Sequence, residues 1–235
     1  MKKTLLLTAF ALAGSIAFAQ KPSAGNKTAE VNLNFQTGTA AVNYTLPAEL
    51  RLRYFLTDNS AFRVRFGLGS TTNKTSVKSG TSDVISDVTV KSGRNISLTP
   101  GYEIHFEGTS KLSPYVGAQL GISLGGKAST VATNSASSSP TSSTIVDGAS
   151  YKSTAGSVFG LSLGLMMGAD YYIADGVFIG AEFGLGLFSM SSTGEDETVI
   201  KASSTASEVT TKTQKFSSSS LFGVTAGGVR LGFVF

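Results

Sequence analysis

Residues 62–69 read Phe62-Arg63-Val64-Arg65-Phe66-Gly67-Leu68-Gly69. Bulky apolar residues occupy every even position, and arginine or glycine every odd one. Strict alternation is the period of an extended strand, whose successive side chains point to opposite faces. One face is therefore greasy, and the other holds two guanidiniums and two hydrogen-only side chains. Glycine and buried charge do not make a water-facing surface, so the greasy face is the one that meets an apolar solvent.

The same pattern recurs on either side. Leu50, Leu52 and Tyr54 oppose Glu49, Arg51 and Arg53. Ile96, Leu98, Tyr102, Ile104 and Phe106 oppose Ser97, Thr99, Gly101, Glu103 and His105. Val116, Ala118, Leu120, Ile122 and Leu124 oppose Tyr115, Gly117, Gln119, Gly121 and Ser123. Leu161, Leu163, Leu165 and Met167 oppose Gly160, Ser162, Gly164, Gly168 and Asp170, and Ile179, Phe183 and Leu185 oppose Gly180, Glu182 and Gly184. Val229, Leu231, Phe233 and Phe235 oppose Gly228, Arg230 and Gly232. Eight strands follow, at about 29–38, 43–56, 61–70, 94–107, 113–125, 154–173, 177–189 and 216–235.

Connections alternate in length. Thr57–Ser60, Gly108–Lys111 and Ala174–Gly176 are tight turns, and the first outer connection, near Gly38–Val42, is brief. Stretches 71–93, 126–153 and 190–215 are long, and Ser or Thr supplies 13 of the 27 residues in 127–153 and 11 of the 26 in 190–215. Short turns at one end and long loops at the other are the asymmetry of an up-and-down transmembrane barrel. The β-branched runs Val84–Val90 and Val209–Thr213 predict that strands protrude beyond the membrane. The longest apolar stretch, Ser157–Ala169, has 13 residues and three glycines, too short and too weak for a spanning helix.

Composition agrees. The 235 residues carry 14% charge and a mean hydropathy of +0.14. No Cys and one His exclude disulfides, thiolate metal sites and a multi-His metal centre, so no cofactor or metal is expected. The excess of 19 basic over 15 acidic residues is spread along the chain, with no basic run to engage nucleic acid. Lys2 and Lys3, the apolar run Leu5–Ile16 and Ala17-Phe18-Ala19 form a secretory signal. Residues 1–19 are read as a cleaved signal peptide, 20–28 as a short leader and 29–235 as the barrel, with 17 basic and 15 acidic residues left after cleavage.

Parity places Glu49, Arg51, Arg53, Arg63, Arg65, Glu103, His105, Asp170, Glu182 and Arg230 in the lumen, with Gln119. Charges in so narrow a space must pair. They form a salt-bridge plug or, by exchanging partners, a gate. His105 lies between Glu103 and Glu107, a base in principle, but no motif marks a nucleophile beside it, and no catalytic residue is assigned. Tyr54, Phe55, Tyr102, Phe106, Tyr115, Tyr171, Tyr172, Phe178, Phe233 and Phe235 gather near the short-turn end and, without any Trp, are read as the interfacial girdle.

The strand count, the loop asymmetry and the ending Val229-Arg230-Leu231-Gly232-Phe233-Val234-Phe235 together resemble the small eight-stranded outer-membrane barrels of Gram-negative bacteria, of the OmpX and OmpA transmembrane-domain type. The resemblance covers the mature chain and departs from OmpA in having no peptidoglycan-binding domain after the barrel. It implies that Phe233 and Phe235 end an insertion signal for the barrel insertion machinery. It also implies a monomer in outer-membrane lipid with a non-enzymatic role, either stabilising the envelope or presenting loops 71–93, 126–153 and 190–215 to an extracellular partner. The alternative is a narrow pore for ions or small solutes.

Overall fold

The computed structural model describes residues 21–38, 41–45, 49–70, 72–78, 85–91, 93–138 and 145–235. The expected signal peptide lies outside these residues. The described chain is all β, and fifteen strands alternate with turns: β1 (Lys27–Gly38), β2 (Ala41–Thr45), β3 (Glu49–Thr57), β4 (Ser60–Gly69), β5 (Thr72–Lys78), β6 (Ile85–Lys91), β7 (Asn95–His105), β8 (Leu112–Gly125), β9 (Ala128–Ser135), β10 (Ile145–Ala155), β11 (Val158–Ala174), β12 (Val177–Thr193), β13 (Asp196–Lys201), β14 (Val209–Thr213) and β15 (Phe216–Val234).

Eight of them close into an antiparallel ring in the order β1, β3, β4, β7, β8, β11, β12, β15. The last strand returns to the first, from Thr28↔Val234 to Leu33↔Val229. Closure leaves the spanning segment without the unpaired edge that hydrocarbon would penalise. β2 pairs with the outer end of β1, so the second strand of the sequence reading is two pieces, β2 and β3. β1 begins at Lys27, two residues earlier than expected, because Lys27 exchanges backbone hydrogen bonds with Phe235.

The ring is inside out relative to a soluble barrel. Along β3, Leu50, Leu52, Tyr54 and Leu56 are about half exposed, while Arg51, Arg53 and Phe55 between them are buried. The register aligns Leu68, Ile96, Leu124 and Phe159 as one exposed row across four strands. Phe106 marks the other rim. From Ile96 to Phe106 is 11 residues, which matches the roughly 9–11 that a tilted strand needs to cross hydrocarbon.

As the β-branched runs predict, strands extend through the three long connections, which form the hairpins β5–β6, β9–β10 and β13–β14. They join edge to edge in a second, six-stranded sheet, β14-β13-β10-β9-β6-β5. Val88, Ala132 and Ala149 form its small core. The 20-residue sixth strand of the sequence reading is in fact β10 and β11, separated at Gly156-Ser157. Close approach explains the break: a Cβ on Gly156 would collide with the backbone of Gly194 across the wall. Gly93 and Gly126 meet in the same way between β6–β7 and β8–β9.

Candidate functional site

Four arginines and four carboxylates fill the inner half of the lumen. Each carboxylate comes from a different strand: Glu30 on β1, Glu103 on β7, Asp170 on β11 and Glu182 on β12. Alternation alone turns them inward. Pairing sets Arg53 directly opposite Arg63 on the neighbouring strand, a like-charge juxtaposition that is unfavourable unless an anion intervenes. Glu103 supplies it, accepting from Arg53 Nη1 at 3.1 Å and from Arg63 Nη1 at 2.6 Å.

The remaining carboxylates act as cross-braces. Asp170 accepts from Arg53 Nη1 at 2.7 Å and from Arg230 Nη2 at 2.8 Å. Glu182 receives both terminal nitrogens of Arg51, at 2.9 and 3.1 Å, and both of Arg63, at 2.8 and 3.1 Å. Such forked pairing suits the planar guanidinium. Glu30 accepts from Arg230 Nη1 at 2.6 Å and contacts Arg53 Nε. Tyr115 donates its hydroxyl proton to Glu182 at 2.7 Å and accepts from Arg230. Glycine makes the space. A Cβ on Gly168 would strike the Tyr115 hydroxyl, and one on Gly180 would strike Asp170 and the Arg230 guanidinium.

Of the ten lumen residues named from sequence, the structure brings Arg51, Arg53, Arg63, Glu103, His105, Asp170, Glu182 and Arg230 into this network. Glu49 and Arg65 lie one level outward, 3.8 Å apart and partly exposed. Gln119 reaches Arg63 at 3.4 Å. Sequence reasoning missed Glu30, although its parity against Val31 and Leu33 carries the signal. Adding it to the sequence count, five positive against four negative, balances the lumen at five and five.

The aromatic assignment needs correction. Phe55, Tyr115, Tyr172 and Phe178 are buried in the lumen rather than placed in the girdle. Three of them cover guanidiniums, with Arg53 over Phe178 at 5.1 Å, over Phe55 at 5.8 Å and over Tyr115 at 5.9 Å, and Tyr172 packs on the Phe178 ring at 5.4 Å. Cation–π attraction and an inward parity hold them there. Tyr54, Tyr102, Phe106, Tyr171 and Phe235 do face outward.

His105 is wedged between Phe55 and Tyr115, ring centroids 5.2 and 5.3 Å away. Its Nδ1 meets Ser113 Oγ at 3.0 Å and its Nε2 meets Glu103 Oε2 at 3.3 Å. Sequence reading did not find this hydroxyl, because β7 and β8 bring it near only by pairing. The order Ser–His–Glu has the form of a nucleophile, base and orienter. Glu103, however, already holds Arg53 and Arg63, so its charge is shared and the arrangement fixes the ring. A cavity of about 280 Å³ opens beneath it at the short-turn mouth, with Pro22, Asp58 and Glu107 on its walls. Among the described residues no group of three His, Cys, Asp or Glu could hold a metal ion.

No curated protein matches the chain significantly. Among solved structures, the outer membrane protein OprG from Pseudomonas aeruginosa aligns at 12% identity over 93% of this chain and 99% of its own, with a TM-score of 0.40. A sequence profile of the OmpA-OmpF-like porin family matches residues 34–188, more than half the chain. With its closed eight-stranded ring, exposed apolar wall and enclosed charges, the chain belongs to that family of outer-membrane, porin-like barrels.

Proposed function

We propose that this protein is an electrically silent, non-enzymatic barrel that stiffens the outer membrane and presents its six-stranded outer sheet to the exterior. One observation carries the reading: the network of Arg51, Arg53, Arg63 and Arg230 with Glu30, Glu103, Asp170 and Glu182 spans the lumen from wall to wall. An ion crossing that level would have to displace charge-assisted hydrogen bonds among buried groups, each worth more than its neutral counterpart.

The outer sheet supports the second half of the reading. Its outer strands β5 and β14 are largely exposed, and an open strand edge takes a partner's strand by main-chain pairing. Export through cleavage after Ala19 belongs to the same proposal, and intact-mass measurement of the envelope form should find Gln20 at its amino terminus.

Planar-bilayer recording of the folded full-length mature chain tests the silent-barrel reading. The expected result is no unitary conductance. Steady ohmic current through the unaltered protein, reduced or altered by Arg65→Ala, would replace it with the narrow-pore reading.

A further inference from the structure

We propose that the outer rim between β6–β7 and β8–β9 is a docking site for a phosphate-bearing lipid of the outer leaflet. This goes beyond the silent-barrel reading and needs only that the barrel sit in the outer membrane.

Three cations gather there. Arg94 and Lys127 flank the close approach of Gly93 to Gly126, where Gly126 N donates to Arg94 O at 2.7 Å. Lys91 pairs across the sheet with Ser129, two residues beyond Lys127. All three are exposed, and among the described residues none makes an ion pair. Lys74, further out on β5, does pair, with Asp87 at 3.1 Å.

The chain keeps acid away from this facet. No Asp or Glu occurs between Asp87 and Glu103, or between Glu107 and Asp147. Glu103 is consumed in the lumen. Elsewhere on the same rim, Glu195, Asp196 and Glu197 precede and begin β13, and Glu197 lies opposite Lys212. Among the described residues Lys152, Lys201 and Lys215 carry no ion pair either, but they sit on or beside β10, β13 and β15, the side of the rim that holds these three acids. Lys91, Arg94 and Lys127 instead lie within the acid-free stretches of the chain.

Directly below, on the ring itself, runs the exposed apolar row Leu68, Ile96, Leu124 and Phe159. Cations immediately above an apolar row match an amphiphile whose headgroup is multiply anionic and whose chains lie along the wall. Free phosphate would gain only the exposed charges, which bind weakly in water. A lipid adds apolar cover, and basic residues near a charged bilayer surface add attraction roughly residue by residue.

The test uses the folded full-length mature chain in neutral detergent, titrated with bis-phosphorylated lipid A and read by native mass spectrometry. Parallel arms use lipid A stripped of phosphate, and inorganic phosphate alone. The triple variant Lys91→Ser, Arg94→Ser, Lys127→Ser is compared with Lys27→Ser, Lys111→Ser, two exposed cations at the short-turn end, both checked for heat-modifiable gel mobility. The phosphorylated lipid should be retained at least about tenfold better by the unaltered chain than by the folded triple variant. The control pair should behave as the unaltered chain, and neither parallel arm should discriminate. Equal retention by the triple variant overturns the proposal. So does equal retention of the phosphate-free lipid by the unaltered chain. Binding of inorganic phosphate that is lost in the triple variant would show a free-anion site and overturn the lipid assignment. Conductance is read separately, so a failure here leaves the silent-barrel reading standing.

Discussion

Arg53 on β3 and Asp170 on β11 are 117 residues apart in the chain and 2.7 Å apart in the lumen. The two strands lie four places apart in a ring of eight, so the pair is a strut across the full diameter. Arg63 on β4 and Glu182 on β12 form a second strut with the same separation around the ring, at 2.8 Å. An antiparallel ring fixes neighbours only locally, whereas these struts hold opposite walls at one spacing.

Asp170→Ala should therefore destabilise the folded barrel by about 3–5 kcal/mol, since it leaves Arg53 and Arg230 buried without their shared anion. The measurement is urea unfolding in detergent followed by heat-modifiable mobility. Arg53→Met combined with Asp170→Ala should cost clearly less than the sum of the single changes, because residues in contact couple. Strict additivity would show that the strut carries no pairwise energy.

Tyrosines on the two faces should behave oppositely. Tyr115→Phe removes a donor to Glu182 and an acceptor for Arg230. Bonds to charged partners put its cost near 2 kcal/mol. Tyr102 is half exposed on the apolar face, and Tyr102→Phe should change stability by less than about 0.5 kcal/mol. Matched unfolding curves for the two variants decide it; equal shifts would contradict the assignment of faces.

The barrel was legible because a one-residue slip would carry every side chain to the wrong face. Arg63 between Phe62 and Val64, and Glu182 between Ala181 and Phe183, leave one workable register each. Glu30 obeys the same rule and was readable beside Val31. What parity does not report is which inward groups meet. Ser113 reaches His105, and Asp170 reaches Arg53, only through pairings made elsewhere in the ring. Phe55 and Phe178 resemble girdle residues in type and level, but they share the parity of Arg53 and Gly180, which turns them inward onto the guanidinium of Arg53. The outer sheet was half legible. Val84–Val90 and Val209–Thr213 carry β-branched runs, whereas the Ser/Thr tract that becomes β9 and β10 is wet on much of its surface and shows little alternation.

Asp87 predicts a pH response confined to the outer sheet. The Ser76 hydroxyl, and then Lys74, hold its carboxyl below the usual aspartate range. A folded value below the unfolded one means that its contribution is fully present above the unfolded pKa. That contribution is lost as pH falls through the folded value. The group is exposed, so the effect is small. Amide protection over 72–78 and 85–91, after correction for the intrinsic pH dependence of exchange, should stay level from neutrality down to the ordinary aspartate value and then fall. Asp87→Asn should remove that step while leaving exchange in β7 and β8 unchanged. A step that survives in Asp87→Asn would assign it to another group.

Gly232 and Gly228 occupy the same inward face of β15, four residues apart, yet only one of them is crowded. A Cβ on Gly232 would enter the ring of Phe178 on β12, while one on Gly228 would meet nothing within 4 Å. Phe178 is fully buried and also stacks on Tyr172 and Arg53, so it has little room to give. Gly232→Ala should then cost about 1–3 kcal/mol through overpacking, and Gly228→Ala should cost little. The crowded position also lies in the last strand, where Val31↔Leu231 and Ile179↔Leu231 close the ring on both sides. Refolding yield of Gly232→Ala into detergent micelles should therefore fall together with its stability. Phe178→Leu in the Gly232→Ala background should recover part of both by clearing the space. Equal behaviour of the two glycine variants would mean that Phe178 moves aside freely and that the aromatic floor is not packed against β15.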